Sequence, residues 1–120
     1  MKTLIIFEHL VKQTDVYIDF LSNDLFYEGH EALEELWFPL RFEKDDEVRL
    51  IRAYINAAVS FELVKRGREK SGLKPWGFYH KNKHLLANVP ANHLPYYEKI
   101  VAHILQTQNR LACFKDAITS

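Results

Sequence analysis

Between Asp45-Asp46 and Gly67 the chain carries Leu50, Ile51, Ala53, Tyr54, Ile55, Ala57, Ala58, Val59, Phe61, Leu63 and Val64. Spaced at 100° per residue, these side chains point in nearly every direction around a helix. Such a helix must be covered from several sides, so it belongs at the centre of a bundle. The stretch predicts a central helix over about 46–66. Asp45 or Asp46 supplies its N-cap, and Gly67 gives a left-handed stop. The small residues Ala53, Ala57 and Ala58 would let neighbours approach closely. One polar strip remains, formed by Arg49, Arg52, Asn56 and Ser60.

The flanking sequence supplies the neighbours. Thr3 can cap a first helix running to about Leu21, with Ile6, Leu10, Tyr17 and Leu21 along one side. Ser22, Asn23 and Asp24 form a polar break too short for anything but an antiparallel neighbour. A second helix follows to about Phe38, where Pro39 stops it. Residues 41–45 read as a charged loop, and 68–74 as the one linker-like stretch. Pro75 opens a fourth helix to about Ala87, with Phe78, Leu85 and Leu86 inward. Asn88 to Asn92 reads as a turn holding Pro90, and Pro95 opens the last helix, whose period runs from Tyr97 to Ile118. No strand alternation, internal repeat or low-complexity tract appears. At 120 residues the chain is long enough for one core and too short for two. The expected fold is all-α: a single domain spanning 1–120, built as an irregular bundle of about five helices around the central one.

The second helix concentrates the polar chemistry. Phe26, Gly29, Leu33, Leu36, Trp37 and Leu40 share one sector of its wheel, and His30 lies in that sector. Glu34 sits one turn after His30, where i,i+4 side chains meet. Glu28, Glu31 and Glu35 point away. The histidine is therefore expected to be buried with one carboxylate in reach. Asp24 is the expected N-cap, and the glutamates suit the positive end of the helix.

The segment Tyr27-Glu28-Gly29-His30-Glu31-Ala32-Leu33-Glu34-Glu35-Leu36-Trp37 resembles the signature F/Y-E-x-H-E-x-L-E-x-x-W of domain of unknown function 309 (DUF309), a family of small all-α bacterial and archaeal proteins. Ile55 to Val59 with Lys65-Arg66-Gly67-Arg68 is similar to a second family motif, an apolar helix with an internal Gln closed by R-G-N. Asn56 stands for the Gln and Arg68 for the Asn. Gly77 with Leu85 and Leu86 is similar to a third. The resemblance spans about residues 23–90, leaving further helices at 3–21 and 94–118. It implies a fold and no established activity.

Three readings of the His30 cluster stay open. As a metal site it lacks H-E-x-x-H and E-x-x-H spacing; His30 and Glu34 would need a third ligand, with His80 or His84 as candidates. As an acid–base or ligand site, a buried His beside a carboxylate has suitable chemistry. As a core contact, His30 would be satisfied by Glu34, or by Asn56 across the helix interface, and would fix how two helices pack. The residues carried forward as candidate ligand-binding positions are Glu28, His30, Glu31, Glu34 and Asn56. No catalytic residue, metal ligand or cofactor is assigned.

Charge is balanced at sixteen basic and sixteen acidic side chains, so no global field draws the protein to nucleic acid or membrane. Its distribution is uneven. Nine acids lie between Asp24 and Glu47, against Arg41 and Lys44; seven basic residues lie between Lys65 and Lys83, against Glu69. The basic stretch interleaves Trp76, Phe78, Tyr79, His80 and His84, which could stack on bases. Without an RNP, KH or helix-turn-helix pattern it reads rather as a solvated face, paired with the acidic helix of the same or a second subunit. Trp37 is expected in the core. Trp76 is expected on the outer side of its helix, as a contact surface or covered by the preceding loop. The lone Cys113 offers no disulfide and no nucleophile partner. Charges at Glu8 and His9 interrupt any signal-peptide core, and no apolar run could span a bilayer; a cytoplasmic location is expected. The leading functional expectation is a non-enzymatic domain that binds itself, another protein or a small ligand. The alternative is an enzyme, or a small-ligand- or metal-binding protein, using His30, Glu31 and Glu34, with Asn56 and Arg52 as orienting groups. Nucleic-acid binding through residues 65–84 stands third.

Overall fold

A computed structural model describes residues 4–115 of the chain. Five α-helices account for most of them: α1 (Phe7–Ser22), α2 (Phe26–Trp37), α3 (Asp46–Lys65), α4 (Glu69–Asn82) and α5 (Leu94–Leu111). Short 3₁₀ segments, Phe38–Leu40 and Lys83–Asn88, extend α2 and α4. The fold is the all-α irregular bundle expected from the sequence.

α3 is its centre. α2 and α4 pack on it, α1 packs on α2 and α5, and α5 touches α3 more lightly. Leu50, Ile51, Ala53, Tyr54, Ala57, Ala58 and Phe61 lose essentially all solvent contact. Asp45 is the N-cap: its Oδ1 accepts from the backbone N–H of Glu47 at 2.8 Å and of Val48 at 3.3 Å. Gly67 ends the helix at φ +75°, a conformation that costs glycine little.

Several boundaries differ from expectation. Thr3 lies outside the described residues. α1 begins after Ile6, which is extended and 72% exposed rather than turned inward. Asp24 is not the cap of α2. It turns the chain at φ +58°, a left-handed conformation that short polar side chains tolerate. Its carboxylate takes Arg110 Nη2 at 2.7 Å, and its carbonyl accepts from Lys65 Nζ at 2.8 Å. The α1–α2 turn is thereby tied to the ends of α3 and α5.

The largest difference is in α4. Residues 69–74 are helical, not a linker, and Pro75 lies inside the helix. Packing overrides the local signal here. Gly72 brings α4 against α3 so closely that an added Cβ would stand 3.1 Å from the Ser60 carbonyl oxygen and 3.0 Å from the Phe114 ring. Trp76 is buried rather than outward. It lies 5.7 Å from the Phe61 ring and 5.1 Å from Tyr79, and it stacks on Phe114 at 5.0 Å. What covers it is the segment after α5. That segment turns back through Ala112 and Phe114, both at positive φ. Ser60, assigned to a polar strip, is fully buried, and its hydroxyl donates to the Ala57 carbonyl at 2.6 Å. Ile118 lies outside the described residues.

Candidate functional site

On α2 the apolar stripe faces the core as the wheel predicts. Phe26, Leu33 and Leu36 are buried, and Trp37 and Leu40 pack at the edge. His30 is not buried with them; its side chain keeps 19% of its exposure at the rim of the stripe. Its Nε2 stands 3.1 Å from Glu34 Oε1, and its Nδ1 lies 3.2 Å from the Tyr27 carbonyl oxygen. Both neighbours are acceptors. A neutral imidazole can donate to one of them only, whereas the imidazolium donates to both. Glu34 is itself 39% exposed, so water shares in satisfying it.

His30 and Tyr27 form one wall of a cleft of about 280 Å³ between α2 and the C-terminal half of α3. Val59 and Leu63 floor it, and Glu62, Arg66 and Arg68 form the far rim. Arg66 Nε donates to Glu62 Oε2 at 2.7 Å. Arg68 makes no ion pair among the described residues. The cleft thus joins an apolar floor to a rim holding His30 and one uncommitted guanidinium.

The remaining candidates go elsewhere. Glu28 and Glu31 face a shallow groove between α1 and α2, shared with Glu35, Lys12 and Gln13. Gln13, buried on α1, donates to the Ala32 carbonyl at 2.7 Å and to Glu35 Oε2 at 2.8 Å, clamping the two helices. Asn56 donates to the Arg52 carbonyl of its own helix at 2.9 Å and does not line the His30 cleft. Arg52 lies over the Phe78 ring at 4.6 Å. His84 borders a different hollow near Leu94. Among the described residues no group of three or more His, Cys, Asp and Glu is placed to hold a metal ion. None of their helices is long and apolar enough to cross a membrane.

A second His–Glu pair was missed by the sequence reading. Glu47, in the first turn of α3, is 5% exposed, and His93, at the start of α5, is 1% exposed. His93 Nδ1 meets Glu47 Oε2 at 2.6 Å, and Tyr97 Oη donates to the same oxygen at 2.6 Å. Phe7 lies along His93, ring centroids 5.8 Å apart. Burial and the adjacent Glu47 carboxylate push the Tyr97 phenol far above its ordinary range. The available signal was phase: Glu47 falls in register with Leu50, Ile51 and Tyr54, and His93 with Tyr97, Ile100 and Ile104.

Around Tyr97 the core is rich in phenols. Tyr17 Oη donates to the Tyr54 carbonyl at 2.8 Å, and the Tyr54 ring lies 5.9 Å from Tyr97 and 6.1 Å from Tyr79. Desolvation raises the pKa of Tyr17 and Tyr54 strongly and pushes Tyr79 up to about 12. Cys113 is buried, and desolvation followed by the Glu69 carboxylate pushes its thiol up to about 11, so the reactive thiolate is scarce at neutral pH.

The acidic and basic stretches do not neutralise one another; no ion pair joins them among the described residues. Of the five rings that could stack on bases, Trp76 and Tyr79 belong to the core and Phe78 packs against it, while His80 is half-buried and His84 is exposed.

The sequence model of DUF309, a domain of unknown function, matches residues 15–74, half of the chain, and the protein belongs to that family. The match takes in α2, α3 and both sides of the cleft and ends before Gly77, Leu85 and Leu86. No curated protein and no solved structure matches the chain.

Proposed function

We infer that this protein is a non-enzymatic binding domain and that the α2–α3 cleft is its binding surface. The observation that carries the reading is the convergence of the two family-like segments on one hollow. Tyr27 and His30 come from the first, and Arg66 and Arg68 from the second. A floor of Val59 and Leu63 suits an aliphatic group with the His30 ring along its side, and Arg68 suits an acidic end. Both ring nitrogens of His30 already face acceptors, which favours holding a ligand over shuttling its protons.

Thermal unfolding with octanoate as probe, and octylamine as its cationic counterpart, tests the reading. A ligand at about a hundred times its dissociation constant adds about 2.7 kcal/mol, which moves the midpoint by several degrees in a domain of this size. The expected result is a shift with octanoate, absent with octylamine and lost in both His30→Ala and Arg68→Ala. An octanoate shift that survives both substitutions would remove the cleft from the reading. Equal shifts from both probes would remove the acidic end.

A further inference from the structure

At the opposite, N-terminal end of α3 lies a larger cleft of about 540 Å³, with Trp37 and Phe42 on one side and Arg49 and Arg52 on the other. Arg41 and Lys44 complete its basic lining. It shares no lining residue with the cleft beside His30.

Its arginines, like Arg68 beside the other cleft, are not tied to carboxylates among the described residues. Elsewhere in the chain, Arg66 and Arg110 are tied to carboxylates at 2.7 Å. Arg41, Arg49 and Arg52 make no ion pair among the described residues. Two of them are positioned by aromatic rings instead. The Arg41 guanidinium lies 3.6 Å from the Phe38 centroid and 4.5 Å from that of Phe42, and its Nη1 donates to the Phe38 carbonyl at 2.6 Å. The Arg52 guanidinium lies 4.6 Å from the Phe78 centroid. Stacking fixes the plane of a guanidinium while leaving most of its edge N–H donors unused, and such a fork matches phosphate oxygens.

Three carboxylates also line the cleft, and two are committed. Asp45 Oδ1 caps α3, and Asp46 Oδ2 accepts from Asn88 at 3.0 Å. Glu43 is the third and is exposed. Four cations therefore face three anions. Phe42 adds a ring that remains 83% exposed although Arg41 covers part of it, and Trp37 is half-buried beside it. A large exposed aromatic next to unpaired arginines combines a stacking surface with an anion fork. The volume lies within the range for small organic ligands.

We propose that this cleft binds a small phosphate ester carrying a planar ring, of the kind a mononucleotide presents: the phosphate on Arg49 and Arg52, the ring against Phe42 and Trp37. The reading is independent of the one for the His30 cleft. Base stacking tolerates either ring type, so purine and pyrimidine monophosphates should both bind.

Isothermal titration calorimetry of the full chain with adenosine and uridine monophosphates, inorganic phosphate and adenosine tests it. Arg49, Arg52 and Phe42 are exposed, so substitutions there should keep the helical circular dichroism. The monophosphates should bind saturably. Affinity should fall at least about tenfold in the Arg49→Gln/Arg52→Gln double variant, fall in Phe42→Ala, and stay unchanged in Lys99→Gln, an exposed position on α5. Inorganic phosphate and adenosine should each bind more weakly than the monophosphates. No binding of either monophosphate at about 10 mM, or binding indifferent to the double variant, overturns the proposal. Inorganic phosphate binding as tightly as adenosine monophosphate, or indifference to Phe42→Ala, overturns the role given to the ring.

Discussion

The chain contains two His–Glu pairs built from the same groups and set in opposite surroundings. His30 and Glu34 lie one turn apart on a single helix, 3.1 Å from each other and 19% and 39% exposed. His93 and Glu47 are 46 residues apart, meet at 2.6 Å, and are almost wholly excluded from water, with Tyr97 on the same carboxylate oxygen. The first pair stands inside the family signature. The second lies partly outside the matched residues, since His93 falls beyond 74. Desolvation decides their relative weight. A half-exposed pair exchanges its contact for water at little cost, whereas a buried carboxylate that loses a donor has no solvent to replace it. Under the proposed function the conspicuous pair borders a ligand cleft, whereas the inconspicuous one holds α5 and the start of α1 against α3.

Alkali should act on the buried region most strongly. Tyr17, Tyr54, Tyr79 and Tyr97 are kept neutral by burial, Tyr79 up to about pH 12. A folded-state pKa above the unfolded one favours the fold fully below about pH 10, and that contribution is lost as pH rises toward and past 12. Tyrosinate absorbance from these four should appear together with the loss of helical circular dichroism. Ionisation of the four while the helices persist would show that the core admits water.

Among substitutions the largest loss is expected from His93→Ala, about 3–5 kcal/mol, because it takes a partner from a buried carboxylate and opens a cavity. Thermal unfolding should report a drop of about 10 °C or more. Tyr97→Phe removes one donor to Glu47 and should cost about 1–3 kcal/mol by denaturant titration. His30→Ala should cost below about 1 kcal/mol, since its partner is part-solvated. A loss there matching that of His93→Ala would erase the distinction between the pairs. The smallest effect is expected at Tyr54, whose buried Oη has no hydrogen-bond partner among the described residues. Tyr54→Phe should leave stability unchanged or raise it by up to about 1 kcal/mol, because a desolvated hydroxyl is removed. A clear loss would mean that the Oη has a partner in solution.

Much of the cleft beside His30 was legible one residue at a time and not as a set. Tyr27, His30, Arg66 and Arg68 all stand in segments that resemble the family motifs, and the i,i+4 rule joined His30 to Glu34. Joining Tyr27 and His30 to Val59, Leu63 and Arg68 required knowing which face of α3 meets α2. A helix apolar on nearly every side does not announce that. Asn56, which the wheel sets on a polar strip with Arg49, Arg52 and Ser60, gives its amide to its own helix and does not line this cleft.

By itself the sequence determined the elements whose causes are local. These are the central helix between its Asp45 cap and its Gly67 stop, the core stripe of α2, and the all-α bundle that so many buried faces demand. The tertiary structure alone decided that residues 69–74 are helical, that Phe114 folds back over Trp76, and that Glu47, His93 and Tyr97 share one buried oxygen. Those outcomes depend on contacts between residues far apart in the chain. Their free energy comes from desolvation and close packing, which exist only once the helices have met.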